Sequence, residues 1–173
     1  MIIRKAILTD APMIAKVHVD SWRTTYKDII PKAFLDKLSY EQRTELWYRN
    51  ISEENNYVLV AENDQGELVG FADAWKRETN TEEDSIDLTS IYLLEEYQGM
   101  AIGKKLLKEL FKYFKQMNYE RVFVEVLADN QTRYFYEYYG AKLVNTVQVK
   151  IGEKILNEII YEWDSVDKVI EKL

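Results

Sequence analysis

The stretch Tyr97-Gln98-Gly99-Met100-Ala101-Ile102-Gly103-Lys104 lies between an apolar run, Leu88 to Leu94, and a strongly amphipathic segment, Ile102 to Met117. The pattern predicts a strand, a tight turn and the start of a helix, in that order. The first N–H groups of a helix have no partner within the helix, and the helix dipole adds partial positive charge there. Glycine allows the backbone to approach a ligand closely. We therefore interpret this stretch, the glycine turn (97–104), as a site for a diphosphate; an ordinary strand-to-helix turn is the alternative.

Length, composition and charge limit the classes of protein that fit. The 173 residues are 47% hydrophobic, which predicts one globular domain over 1–173. The chain has no cysteine, which excludes a disulfide framework and a thiolate metal site, and we expect no metal. The net charge of −7 argues against a nucleic-acid partner. No apolar run approaches the about 18 residues of a membrane span, and residues 1–5 lack a signal-peptide layout, so we expect a cytoplasmic protein without a membrane partner.

The rest of the chain predicts a mixed α/β (α+β) fold. Ser39 with Gln42 forms a capping-box pattern, and Pro12 and Pro31 fall where helices begin. The predicted strands cover residues 2–8, 57–61, 67–75, 85–94, 121–127, 143–150 and 154–163. The predicted helices cover a segment after Pro12, a short segment after Pro31, a segment from about 40, and residues 103–117, 130–139 and 166–173. The strand–helix–strand order from 85 to 127 predicts a right-handed parallel crossover.

The fourth predicted strand has an irregular apolar pattern. Ile86 and Leu88 occupy even positions, whereas Ile91 and Leu93 occupy odd positions. A regular strand would turn these two pairs to opposite faces of the sheet. One extra residue near Thr89-Ser90 would restore a common face, so we predict a β-bulge there. A strand buried on both faces is the alternative, since it needs no alternation.

Two motifs and the order of elements resemble the GCN5-related N-acetyltransferase (GNAT) superfamily over nearly the whole chain. The motifs are the turn Gln98 to Gly103 and the series Asn130, Phe135-Tyr136 and Gly140, and the segment His18 to Arg23 resembles its branch of small bacterial acetyltransferases. The resemblance implies a mixed central sheet of about seven strands flanked by helices. Its fourth and fifth strands splay apart, and acetyl-CoA lies in the V between them.

The chain departs from the turn motif at Ala101 and from the second motif in the spacing of Phe135, with Arg133 in the place of an alanine and Ala141 in the place of a phenylalanine. Ala101 stands where the turn motif has its first glycine, which costs about 1 kcal/mol if that position has a positive φ and nothing if it is helical. In the second motif, Phe135 is one residue too close to Asn130. The match to the motif is therefore more secure at Tyr136 than at Asn130. Asp129 could share the role that the family assigns to the asparagine.

The resemblance implies transfer of an acetyl group from acetyl-CoA to a primary amine by direct attack, without a covalent enzyme intermediate. Tyr136 occupies the family position of the general acid that protonates the departing thiolate, and a packed aromatic residue is the alternative for it. Backbone N–H groups near Ile91 and Leu93 would hold the pantetheine arm and polarise the carbonyl. The residues expected to bind the cofactor are Ile91, Tyr92, Leu93, Gln98, Gly99, Met100, Ala101, Ile102, Gly103, Lys104, Asn130 and Tyr136.

The reaction also needs a base that removes a proton from the ammonium form of the substrate. We predict Asp87 as this catalytic base, because the register shift would turn it towards the cleft. A surface carboxylate is the alternative; Glu125 is the second choice, and His18 is either a base or a packed residue. The aromatic residues expected to wall the acceptor pocket, as stacking surfaces for a cation, are Trp22, Tyr26 and Trp75, and a place in the core is the alternative for them.

The sequence is compatible with more than one acceptor, function and assembly. The acceptor is a small-molecule amine or a protein amino group, and the acidic run Glu82 to Asp84 suggests that it is cationic. A non-catalytic module that binds or senses acyl-CoA with the same fold is the alternative function, and a protein that binds other nucleotides is a third. Domains of this family often pair, so a homodimer is one of the expected assemblies.

Overall fold

The computed structural model describes residues 1–173 and contains a seven-stranded sheet in the order β1-β2-β3-β4-β5-β7-β6. The strands are β1 (Ile2–Lys5), β2 (Tyr57–Glu62), β3 (Leu68–Trp75), β4 (Ser85–Leu93), β5 (Arg121–Leu127), β6 (Lys142–Ile151) and β7 (Lys154–Trp163). The helices are α1 (Ala11–Thr25), α2 (Lys32–Asp36), α3 (Tyr40–Ser52), α4 (Ile102–Gln116), α5 (Thr132–Tyr138) and α6 (Val166–Lys172). Only β4 and β5 pair in parallel. The predicted mixed sheet of about seven strands is confirmed.

Local signals in the sequence set most of the element boundaries. The Ser39 hydroxyl accepts a hydrogen bond from the Gln42 N–H at 3.2 Å, so the predicted cap begins α3. The first strand is shorter than predicted and ends at Lys5. The reason is Asp10, whose carboxylate accepts the Ile7 N–H at 2.9 Å and pairs with Arg4 at 2.7 Å. These contacts turn the chain into a 3₁₀ turn over Leu8–Asp10.

A β-bulge interrupts the pairing of β3 with β4 at the predicted place. Asp73 pairs with Ser90 and Ala74 pairs with Leu88, so that Thr89 is the extra residue. The Thr89 hydroxyl donates a hydrogen bond to the Asp73 carbonyl at 2.9 Å. As a result, Leu88 and Ile91 contact the same core, whereas Ser90 is turned to the opposite face of the sheet.

The parallel pairing of β4 with β5 is short. It joins Ser85–Leu88 to Arg121–Val124 and then stops, although β4 continues to Leu93 and β5 to Leu127. The two strands therefore separate beyond this point, as the predicted splayed fourth and fifth strands require. The edge of β4 that faces β5 has no strand partner beyond Leu88.

Helices cover both faces of the sheet. The larger core lies under α4, whose buried face is formed by Leu106, Leu107, Leu110, Phe111 and Phe114. On the opposite face, α1 and α3 pack on β3 through Trp47 and Phe71. No helix combines the length and the apolar character that crossing a membrane would take.

Candidate active site

A cavity of about 450 Å³ opens where β4 and β5 separate, and we name it the cleft cavity. Three segments predicted to hold a cofactor meet there: the end of β4, the glycine turn and the residues before α5. The lining residues that had been predicted are Ile91, Tyr92, Leu93, Gln98, Gly99, Gly103 and Asn130. The structure thus brings together parts of the chain that lie up to about forty positions apart.

The glycine turn enters α4 through two left-handed residues. Gly99 has a φ of +73° and Ala101 has a φ of +59°, and Ala101 is the residue that precedes the helix. The open question about Ala101 is therefore resolved: the position has the positive φ at which alanine is strained. The Gln98 side-chain amide donates a hydrogen bond to the Leu93 carbonyl at 3.3 Å, which ties the turn to the end of β4.

The second glycine of the turn is not required by the packing of the protein itself. A methyl group on Gly103 would lie 3.6 Å from the Phe135 ring and 3.8 Å from Leu93, which are ordinary contacts. Its φ is not in the left-handed region, and alanine is the better helix former. Because Gly103 lines the cleft cavity, its missing side chain leaves room at the N-terminus of a 15-residue helix. This is the arrangement that a diphosphate needs.

Four of the predicted cofactor residues in the glycine turn do not line the cleft cavity: Met100, Ala101, Ile102 and Lys104. The Ile102 side chain is 2% exposed and packs in the main core. Met100 is 60% exposed. These four residues could therefore contribute only backbone groups to a ligand at the glycine turn. The Lys104 side chain does not line the cleft cavity.

A second, smaller cavity of about 30 Å³ lies between the separated strands, and we name it the inner cavity. Tyr136 lines it and packs edge-on against Trp163, with 5.6 Å between the ring centroids. Burial, followed by the nearby Tyr26, raises the pKa of the Tyr136 phenol. The phenol is therefore protonated at neutral pH, as a general acid must be before it acts.

Asn130 connects the two cavities, since it lines both. Its side chain is 6% exposed, and its Oδ1 accepts the Thr132 N–H at 2.9 Å, which directs the chain into α5. Asp129, the residue expected to share its role, lines only the cleft cavity.

The three aromatic residues predicted to form the acceptor pocket have different surroundings. Tyr26 lines the inner cavity, and its hydroxyl lies 2.8 Å from the hydroxyl of Tyr92. Trp22 packs edge-on against Tyr26, with ring centroids 4.9 Å apart, but does not line the cavity. Trp75 is 41% exposed and lies outside both cavities.

The structure does not bring Asp87 to the cavity, which corrects the expectation that it faces the cleft. Its carboxylate accepts the Arg77 N–H at 3.0 Å and the Asn80 side-chain amide at 2.9 Å, and it pairs with the Arg77 guanidinium at 3.3 Å. These partners come from the loop after β3, which the strand pattern does not describe. Asp87 therefore holds this loop, whereas Glu125, the second choice, does line the inner cavity.

His18 is a packed residue in a cluster of aromatic rings. Its ring contacts Trp22, Trp47, Phe71 and Tyr92, with centroids 5.6 to 5.8 Å apart. The Trp47 indole N–H donates a hydrogen bond to His18 Nδ1 at 3.1 Å. Burial lowers the pKa of His18 to about 3. The imidazole is therefore neutral, and its basic nitrogen already has a partner.

One buried carboxylate at the bulge was not predicted from the sequence. Asp73 on β3 is 4% exposed, and the Ser90 hydroxyl donates a hydrogen bond to it. Burial raises the pKa of Asp73 to about 6. The available signal was a single acidic residue within the otherwise apolar strand Leu68–Trp75.

Known proteins resemble this chain in sequence and in fold. Residues 19–141 match the family described as acetyltransferase (GNAT) family. An uncharacterized N-acetyltransferase of Bacillus subtilis (strain 168), YuaI, is 35% identical over 93% of this chain and 91% of its own length. The spermine/spermidine N(1)-acetyltransferase of the same organism is 26% identical over 70% of this chain and 82% of its own length.

A solved structure has the same architecture. The PaiA N-acetyltransferase of Thermoplasma acidophilum, crystallised in complex with coenzyme A, superposes with a TM-score of 0.74 and 25% identity. The match covers 94% of this chain and 98% of that protein. Together with the glycine turn and the splayed strands, these similarities show that the chain belongs to the acetyltransferase (GNAT) family.

Proposed function

We propose that this protein transfers an acetyl group from acetyl-CoA to a primary amine by direct attack, without a covalent enzyme intermediate. The observation that carries the proposal is the cleft cavity, where a glycine turn opens a long helix at the gap between β4 and β5. The inner cavity shares lining residues with the cleft cavity and is also lined by Tyr136. The proposed site of the acyl donor therefore adjoins the proposed site of acetyl transfer.

The chain supplies three kinds of contact for acetyl-CoA, which brings the activated acetyl thioester. The first N–H groups of α4 would bind the diphosphate, since they have no partner within the helix. Gly103 leaves the space that the diphosphate needs. The unpaired edge of β4 between Ile91 and Leu93 would bind the pantetheine arm and orient the thioester carbonyl.

Tyr136 would act as the general acid. When the amine attacks, the carbon–sulfur bond breaks and the phenol proton of Tyr136 moves to the leaving sulfur. The phenol retains its proton until the thiolate forms, because burial opposes the phenolate. As the amide forms, the attacking nitrogen releases its second proton, which would restore the phenol of Tyr136 directly or through the neighbouring Tyr26.

The acceptor side favours a cationic amine. Glu125 lines the inner cavity, and burial together with Glu125 raises the pKa of the neighbouring Glu158. Arg77 lies 3.6 Å from Glu125 and 3.3 Å from Asp87, so a single guanidinium is shared by two carboxylates. One relative, at 26% identity, is a spermine/spermidine N(1)-acetyltransferase. We therefore propose a polyamine or another multiply charged amine as the substrate.

The experiment pairs a binding variant with a chemistry variant. CoA affinity is measured by calorimetry, and thioester consumption is followed with spermidine, lysine and simple primary amines. Gly103→Ala should fold as well as the wild type, because its methyl group fits and alanine favours the helix. Its CoA affinity should fall, since the methyl group would narrow the space beside the first N–H groups of α4.

Tyr136→Phe serves as the matched comparison, with CoA affinity close to wild type and kcat reduced about 10² to 10⁴-fold. Stabilisation by ATP or NAD and not by CoA would contradict the proposal. CoA binding without turnover on any amine would favour the non-catalytic acyl-CoA module. Turnover of neutral amines alone would contradict the proposed cationic substrate and leave the reaction class intact.

A further inference from the structure

The bulge between β3 and β4 places a buried carboxylate directly behind a cavity-lining hydroxyl. Asp73 is 4% exposed and does not line either cavity described above. Ser90 is its register partner and donates the Oγ–H hydrogen bond to Asp73 Oδ1. Ser90 itself lines the inner cavity together with Tyr136. A continuous polar connection therefore runs from the cavity wall into the sheet.

The bulge is the reason that this connection exists. Thr89 is the extra residue, and its hydroxyl is held by the Asp73 carbonyl at 2.9 Å. If β4 instead alternated regularly through Thr89, Ser90 would share the α4 face with Leu88 and the inner cavity would lose its hydroxyl. The same irregularity thus turns Ser90 towards the inner cavity, next to the point where β4 and β5 stop pairing.

The charges around Asp73 leave it without a strong ion-pair partner. Burial is the largest influence and disfavours the carboxylate, while Ser90, Thr89 and Arg77 favour it to a smaller extent. Arg77 is instead shared between Asp87 and Glu125. The titratable side chains on the surrounding elements are Arg77 in the loop after β3, Asp87 and Tyr92 on β4, Glu125 on β5, Tyr136 on α5, His18 on α1, Tyr26 at the end of α1 and Arg43 on α3.

We propose that Ser90 and Asp73 together accept the proton of the acceptor ammonium, an inference that rests on the proposed acetyl transfer. Ser90 is the residue that contacts the amine, and Asp73, which acts through it, is a positioning residue. An N–H bond of the ammonium breaks and an O–H bond forms at Ser90 Oγ. The original Ser90 proton moves to Asp73 Oδ1, and the freed nitrogen lone pair attacks the thioester. The carboxylic acid later returns its proton to water, so no oxidant or further reactant is needed.

Other candidate bases in the neighbourhood are less suited. His18 Nδ1 already accepts a hydrogen bond from Trp47, and Asp87 is held by Arg77 and Asn80. Glu125 lines the inner cavity but faces Arg77 at 3.6 Å. A purely structural role for Asp73, in which it only fixes the bulge, is the main competing explanation.

The test compares pH profiles of kcat/KM between pH 5 and 9, with saturating acetyl-CoA and spermidine, or the best primary amine of the panel if spermidine is not acetylated. The variants are Asp73→Asn, which keeps an oxygen acceptor for Ser90, and Ser90→Ala, which interrupts the connection. Asp10→Asn is the matched control, because Asp10 is also a buried carboxylate but pairs with Arg4 and lines neither cavity.

The wild-type profile should fall below about pH 6, where Asp73 becomes protonated. Asp73→Asn and Ser90→Ala should each lower kcat/KM by about 10² to 10⁴-fold and lose this acidic limb, while CoA affinity stays within about threefold. Asp10→Asn should keep the wild-type profile. If Asp73→Asn does not fold, Ser90→Ala decides alone.

Two results would overturn the inference. Variants that are slower but keep the wild-type acidic limb would show that Asp73 only holds the bulge. A limb that disappears in Glu125→Gln and persists in Asp73→Asn would assign the proton to Glu125. Absence of turnover by the wild type with every amine would instead refute the proposed function, so the two failures are distinguishable.

Discussion

Replacing Ala101 by glycine should stabilise the protein. Ala101 has a φ of +59° immediately before α4, in a region that residues with a Cβ avoid. The left-handed conformation costs a non-glycine residue about 1–2 kcal/mol. Alanine nevertheless occupies this position, and its side chain is exposed, so removing the methyl group sacrifices little buried surface.

The magnitude follows from two opposing effects. Ala101→Gly removes the strain of about 1–2 kcal/mol, but glycine adds about 0.5–1 kcal/mol of conformational entropy to the unfolded chain. The free energy of unfolding should therefore rise by about 0.5–1 kcal/mol. For a chain of this length, a change of that size raises Tm by about 1–4 °C.

The assay is urea unfolding followed by circular dichroism, supported by thermal unfolding. Ala33→Gly is the matched control, because Ala33 is also exposed but lies within α2, where φ is negative. This control should lose about 0.5–1 kcal/mol, the usual penalty of glycine in a helix. Opposite signs for the two variants would confirm the strain. An Ala101→Gly variant that is no more stable than the wild type would refute it.

Three further predictions concern stability. In urea unfolding, the free energy of unfolding of Asp73→Asn relative to wild type should rise by about 1.4 kcal/mol from pH 5 to pH 7.5. The reason is that the stability contributed by the buried protonated carboxyl of Asp73 is full below pH 3.8 and is lost as the pH rises through its pKa of about 6. A difference between the two proteins that is independent of pH would contradict the raised pKa. Trp47→Phe should cost about 2–4 kcal/mol in guanidinium unfolding, since it leaves a gap and deprives His18 Nδ1 of its donor. Ser39→Ala should lower the free energy of unfolding by about 1 kcal/mol and Tm by about 2–4 °C in calorimetry, because the Gln42 N–H loses its cap.

The sequence predicted the fold well where a local pattern had one physical solution. The parity change between Leu88 and Ile91 allowed a bulge, and the structure places the extra residue at Thr89. The Ser39 cap was likewise visible in four residues of sequence. The resemblance to a known family supplied what periodicity could not, namely that β4 and β5 separate.

The candidate site was harder to predict because its members depend on contacts between distant segments. Register led us to expect Asp87 at the cleft, but its partners Arg77 and Asn80 come from a polar loop without periodicity. Asp73 was missed because its importance depends on Ser90 across the bulge, a pairing that one strand alone does not show. The conformation of Ala101 was undecidable for a similar reason, since alanine is common in helices and rare in left-handed turns.

The short parallel pairing between β4 and β5 links the stability of the sheet to the access of ligands to the cleft cavity. Ser85–Leu88 is the only part of β4 that ties the first four strands to the remaining three, whereas β5 and β7 remain paired from Val122 to Leu127. Any change that extended the pairing of β4 with β5 by a few residues would stabilise the sheet and would also close the opening between the two strands. A molecule bound in that opening would contact both parts of the sheet and hold them together. Amide hydrogen exchange of Ser85–Leu88 should therefore slow when coenzyme A is present.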